Sequence, residues 1–144
     1  MPTRAEEVVA EFMGAWGPDW PTFRSAYVTY LSEDCVYENT GMPTATGHSE
    51  ILALVDAFAA ATGMVSGKAE IRHSFASETV VLNERTEIWH KEDGTPIIDH
   101  PVAVMGAFEV HGGKITHWRD YWDASPVVAI LSGSSTAGAK GDKS

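Results

Sequence analysis

MGAFEVHGGKITHWRDYWD, residues 105–123, decides how the chain folds. Its HGGK stretch carries two consecutive glycines, the chemistry of a tight hairpin turn, because the central residues of such a turn need positive φ. Strands are therefore expected on either side, over about 97–110 and 114–123. Side chains alternate faces along a strand. On the second arm Trp118, Asp120 and Trp122 then share one face, against His117, Arg119, Tyr121 and Asp123 on the other. Working back towards Gly67, the same alternation with Gly and Pro punctuation marks strands at about 68–77 and 79–91, and an Asp-Gly turn in EDGT links the latter to the next strand.

Before Gly67 the period is helical. Thr3 followed by Glu6 forms a capping box, and Val8, Val9, Phe12, Met13 and Trp16 recur at helical spacing behind it. The GPDWP segment breaks that helix. Phe23, Tyr27 and Leu31 mark a second one starting near Asp19 or Trp20, Cys35 to Asn39 is short and extended, and G-M-P turns the chain into a third helix from about Gly47 to Ala61. Helices followed by an antiparallel meander predict an α+β layout with the helices on one face of a curved sheet. Such a sheet makes a cone, whose mouth is a natural small-molecule pocket. One domain is expected over 1–131, with the small polar stretch SGSSTAGAKGDKS, 132–144, as a flexible tail.

Composition narrows the functional classes. The 144 residues are 44% hydrophobic and 21% charged, enough to bury a core. Ten basic residues against twenty acidic ones give a formal charge of −10, which repels phosphate backbones and argues against nucleic acid. No apolar run reaches membrane-span length and MPTRAEEVV lacks the features of a signal peptide, so no membrane association and a cytoplasmic location are expected. Cys35, the single cysteine, reads as a small buried strand residue. There is no Gly-rich phosphate loop, no H-E-x-x-H and no G-x-S-x-G. Six scattered histidines make a weak metal signal, His73 with His100 included.

The polar residues of the strands carry more. In LNERTEIWHK, Arg85, Glu87 and Trp89 share a face, as Trp118, Asp120 and Trp122 do. Solvated cross-strand charges are the ordinary reading of such residues. The aromatics beside them would then form an exposed apolar row, so the favoured reading encloses that face and makes Arg85 the fork between two carboxylates. Tyr37 and Asn39, two apart, likewise look the same way; a hydroxyl, an amide and a carboxylate are together suited to hold one water while one partner removes its proton.

These residues resemble the limonene-1,2-epoxide hydrolases, within the nuclear-transport-factor-2-like or SnoaL-like fold group. VYENTGMPTATGH is similar to that family's Tyr-x-Asn segment, NERTEIW to its Glu-Arg-x-Asp strand, and MGAFEVHGGKITHWRDYWD to its closing hairpin, a likeness over about 3–125. The resemblance implies a curved six-stranded mixed sheet covered by three to four N-terminal helices around a deep apolar pocket, commonly in a homodimer, with neither metal nor organic cofactor. It implies that Asp120 deprotonates a water held by Tyr37 and Asn39, that Arg85 orients the two carboxylates, and that Glu87 stands where the family has its aspartate acid. The expected activity is one-step addition of water to a small apolar epoxide, giving a vicinal diol. Trp89, Trp118, Trp122, Phe75, Met42, Met64 and Met105 are expected to supply the pocket wall. The alternatives are a lyase, isomerase or cyclase using Asp120 as base, with His73 or His100 as proton shuttle, and a non-catalytic small-ligand binder.

Overall fold

Thr3 starts the first helix, α1 (Arg4–Met13), by accepting a hydrogen bond from the Glu6 N–H at 3.1 Å, and Glu6 and Glu7 sit where the positive end of the helix dipole favours acid. Asp19 does the same for α2 (Trp20–Tyr30), accepting from the Thr22 N–H at 2.9 Å, with Pro21 in the first turn where a missing N–H costs nothing. After β1 (Leu31–Asn39) and the two-residue β2 (Ala45–Thr46), α3 (Gly47–Thr62) ends at Gly63, whose φ of +81° is the left-handed stop that glycine adopts freely. The computed structural model describes residues 1–133, so all but the first two residues of the expected tail lie outside the described residues.

Four long strands follow: β3 (Met64–Ala76), β4 (Val80–Lys91), β5 (Val102–His111) and β6 (Lys114–Tyr121). They form the expected meander, and Gly112 and Gly113 both take positive φ in the β5–β6 turn. The start of β5 is a correction: 97–101 are not strand, because Pro101 has no N–H to give a ladder. β1 lies beside β6 in parallel and β2 pairs with β1, giving the sheet order β2-β1-β6-β5-β4-β3. Three helices precede the long strands and the fourth, α4 (Ser125–Leu131), comes from the C-terminal side. No helix among the described residues is long and apolar enough to cross a membrane.

The helices cover the inner face of the sheet. Val8, Phe12, Ile51, Phe108, Ile115 and Trp118 are fully buried there. Burying a side chain such as Phe12 is worth about 2–3 kcal/mol. Trp118 is the centre of an aromatic cluster, stacked on Tyr37 at 4.0 Å and met edge-on by Phe12 at 5.1 Å. Cys35 in β1 is wholly buried, and burial pushes its thiol up to about 12.

Strand parity corrects two pocket assignments. The β3–β4 register slips between Ile71 and His73, so Arg72 is an extra residue and every side chain after it changes face. Phe75 therefore pairs with outward Leu82 and is 77% exposed. Met105 faces outward between Glu84 and Tyr121, since the inward positions of β5 are Val102, Val104, Gly106, Phe108 and Val110.

Candidate active site

Three strands bring the polar residues together because each presents alternate positions to one enclosed face. β4 contributes Asn83, Arg85, Glu87 and Trp89, β6 contributes Trp118 and Asp120, and β1 contributes Tyr37 and Asn39. In the parallel β1–β6 pair Tyr37 lies opposite Trp118 and Asn39 opposite Asp120. Only that pairing of strands distant in sequence sets the hydroxyl and the amide next to the carboxylate.

Arg85 is entirely removed from solvent. Its guanidinium donates from Nε to Glu87 Oε2 at 2.7 Å, from Nη2 to Asp120 Oδ2 at 2.7 Å, and from Nη1 to Asn83 Oδ1 at 3.0 Å. Each carboxylate spends its second oxygen on an indole: Trp89 Nε1 donates to Glu87 Oε1 at 3.0 Å, and Trp118 Nε1 to Asp120 Oδ1 at 2.8 Å. Trp122 Nε1 donates to Asn39 Oδ1 at 2.9 Å. Such fully bonded geometry is what makes buried charge tolerable.

One guanidinium faces two carboxylates, so full ionisation leaves a negative charge in an apolar enclosure. Burial raises the Asp120 carboxyl to about 6 even though Arg85 opposes the shift, and the charge of Glu87 raises it further. Burial by itself would lower the Arg85 pKa; the carboxylates of Glu87 and Asp120 more than offset that and keep it cationic. Burial also raises the phenols of Tyr37 and Tyr27 well above their ordinary value, so both remain neutral donors.

The row opens on a cleft of about 670 Å³, open mouth included, lined by Tyr37, Asn39, Glu87 and Asp120 and walled by Trp89, Trp118, Trp122, Met42 and Met64. Phe75 and Met105 stand on the far side of the sheet. His73 and His100 are also outside the cleft, exposed and paired with Glu84 and Asp99. Among the described residues no three His, Cys, Asp or Glu side chains come together to hold a metal ion.

Several participants were not singled out from sequence. Asn83 has the parity of Arg85 and Glu87 and lies one step back in the same row, a signal that was there to read. Gly106 lies opposite both Asn83 and Asp120, and a Cβ there would come within 2.5 Å of Arg85 Nη1; a glycine inside a strand is the mark of such close approach. Trp16 and Tyr27 also line the cleft, but at helical spacing they look like core.

Chemically, the site sets a carboxylate with near-neutral proton affinity beside an amide and a phenol, a group able to take a proton from a bound water. A second carboxyl across the same guanidinium can return a proton to a leaving oxygen.

The sequence profile of the limonene-1,2-epoxide hydrolase catalytic domain matches residues 3–132. The chain is 34% identical over 97 residues to the epoxide hydrolase EphG of Mycobacterium tuberculosis (strain ATCC 25618 / H37Rv), a match covering 65% of this chain and 58% of that protein. The chain therefore spans under two thirds of that curated relative. Among solved structures, an M. tuberculosis epoxide hydrolase described as limonene-epoxide-hydrolase-like superposes with a TM-score of 0.66 at 27% identity over 95% of this chain and 96% of that one. TerC co-crystallised with polyporic acid gives 0.67 at 12% identity over 90% and 99%. A protein with a ketosteroid-isomerase-like fold from Catenulispora acidiphila gives 0.64 at 22% identity over 88% and 92%. The last two likenesses speak for the fold alone, which is the nuclear-transport-factor-2-like cone.

Proposed function

The chain belongs to the limonene-1,2-epoxide hydrolase family, and from that premise we propose that it is a cofactor-independent epoxide hydrolase which adds water to a small epoxide in one step to give a vicinal diol. The observation that carries the reading is Arg85, fully buried and bonded at 2.7 Å to Glu87 and to Asp120 beside one cleft.

In this mechanism Tyr37 donates a hydrogen bond to the nucleophilic water, whose two O–H groups donate hydrogen bonds to Asn39 and Asp120. Asp120 takes one as the water oxygen attacks a ring carbon from behind. The ring C–O bond breaks, and its electron pair takes a proton from Glu87, the coupled pair having entered the step with its shared proton on Glu87 and with Asp120 ionised. Asp120 ends protonated and Glu87 ionised, so one proton must pass between them, directly or through solvent, before the next cycle. Arg85 keeps one proton on the pair compatible with a neutral site. Acid and base assistance contribute about 100- to 10,000-fold each, sufficient for a strained ring. A lyase or cyclase using Asp120 alone gains nothing from the guanidinium bridge to a second carboxyl, and the bridge therefore favours the hydrolase.

The test is a panel of racemic and meso epoxides with purified protein, diol being resolved by chiral chromatography. Stereoselective diol that takes its new oxygen from labelled water in a single turnover is expected. Absence of diol across the panel would defeat the reading, and label missing from the diol would defeat direct attack by water.

The protein acts, in this reading, as a homodimer. Supporting it is the outer face of the sheet, where Phe75 pairs with Leu82 and Met105 with Tyr121, all four exposed.

A further inference from the structure

Two hydrogen-bond donors, Trp16 on the bend after α1 and Tyr27 in α2, have no partner among the described residues. The indole N–H of Trp16, a residue 3% exposed, is the one fully buried side-chain polar atom among the described residues without a hydrogen bond. The Tyr27 phenol, 4% exposed, makes no side-chain hydrogen bond with any described residue. Both residues line the cleft that holds the carboxylates. They flank the same two rings: Phe12 lies 5.5 Å from Trp16 and 5.1 Å from Tyr27, and Phe23 lies 6.0 and 5.0 Å from the same two residues.

The opposite wall makes the contrast. There the three indoles of Trp89, Trp118 and Trp122 each donate to a named oxygen. Leaving a buried donor unmet is costly, and phenylalanine at either position would avoid the cost. The Trp16 N–H has no surface that a ligand atom could reach, whereas the Tyr27 phenol, a neutral donor on the cleft, is complementary to an acceptor oxygen.

The nucleophilic water does not fit that description. It donates hydrogen bonds to Asp120 and Asn39, accepts from Tyr37, and needs its remaining lone pair for the ring carbon; a further donor would occupy it. The epoxide oxygen is no better, because attack from behind sets it away from the water, at Glu87. We infer that Tyr27 forms a subsite for a second oxygen of the substrate, an ether or carbonyl oxygen a few bonds from the ring, so that the preferred epoxide is an oxygenated one and not a hydrocarbon. The inference rests on the epoxide-opening reading for the reaction, and on the unpartnered phenol for the subsite.

The experiment uses matched epoxides in which an ether oxygen or a carbonyl replaces one methylene at successive positions of a phenylalkyl chain, beginning with phenyl glycidyl ether and its all-carbon analogue. Two quantities are read for wild type and Tyr27→Phe: kcat/KM for each epoxide, and Kd for each unreactive product diol from tryptophan fluorescence. At one position or more, wild type prefers the oxygenated member by roughly tenfold, and Tyr27→Phe brings that ratio close to one. A ratio near one in wild type at every position, or a ratio indifferent to Tyr27→Phe, overturns the subsite even if diol is formed. Collapse of the Kd ratio with no epoxide hydrolysed upholds the subsite and defeats the epoxide-opening reading instead.

Discussion

At residue 87 a glutamate stands where the resemblance to the family implies an aspartate, and the extra methylene is in use. One carboxylate oxygen meets Arg85 Nε at 2.7 Å while the other meets Trp89 Nε1 at 3.0 Å. Shortening the side chain by one carbon, about 1.5 Å, breaks at least one of these bonds. Glu87→Asp is therefore expected to lower kcat/KM by about 10- to 100-fold despite keeping an acid, as steady-state kinetics on any accepted epoxide will show. In the proposed mechanism Asp120 sets the pH dependence. Its carboxyl is raised from 3.8 to about 6 by burial, and only the ionised form accepts a proton, so kcat/KM falls tenfold per unit as pH drops below about 6. The linkage has the opposite sign. A raised folded-state pKa contributes stability that is fully present below 3.8 and lost as pH rises through about 6. Asp120→Asn should abolish turnover and should gain stability over wild type between pH 4 and pH 8, by on the order of 2 kcal/mol across that interval in urea denaturation. Arg85, Glu87 and Asp120 were legible in the sequence because the indoles beside them would be too costly in water. Trp16 and Tyr27 were not, since a polar tip on a mostly apolar side chain leaves no trace in helical periodicity.

Between elements, the close approach of β4 and β6 to the middle of β5 is decisive. Gly106 leaves space for Arg85 Nη1, Asp120 Oδ1 and the edge of Phe108, which would lie 2.5, 2.9 and 2.9 Å from a Cβ. Gly106→Ala is expected to cost about 1–3 kcal/mol by overpacking, and to reduce kcat more than KM rises because the guanidinium is displaced from both carboxylates. Denaturation midpoints together with kcat and KM test this. Turn chemistry and alternation made the β3–β6 meander readable, since each hairpin is specified within a few residues of its turn. Two features lay beyond that reach. The parallel docking of β1 on β6 joins residues some 80 positions apart, as in Asn39 opposite Asp120, and local pattern carries no record of such pairing. The bulge at Arg72 reverses parity without any glycine to announce it, which is why Phe75 fell on the wrong face.

For the whole molecule, the two faces of the sheet divide the work: one encloses the polar row and the other offers Phe75, Leu82, Met105 and Tyr121. If that outer face joins two copies, replacing Met105 by Glu and Phe75 by Lys together will turn a sedimenting dimer into monomers while the secondary structure seen by circular dichroism is kept. A dimer insensitive to both changes would place the contact elsewhere. The lone thiol offers a different handle. Cys35 has no solvent exposure and shares β1 with Tyr37 and Asn39, and with its proton held up to about 12 it is inert while that strand stays in the sheet. An alkylating reagent thus reacts only during excursions in which β1 detaches, and its rate becomes a built-in clock for how often the strand that carries Tyr37 and Asn39 comes loose.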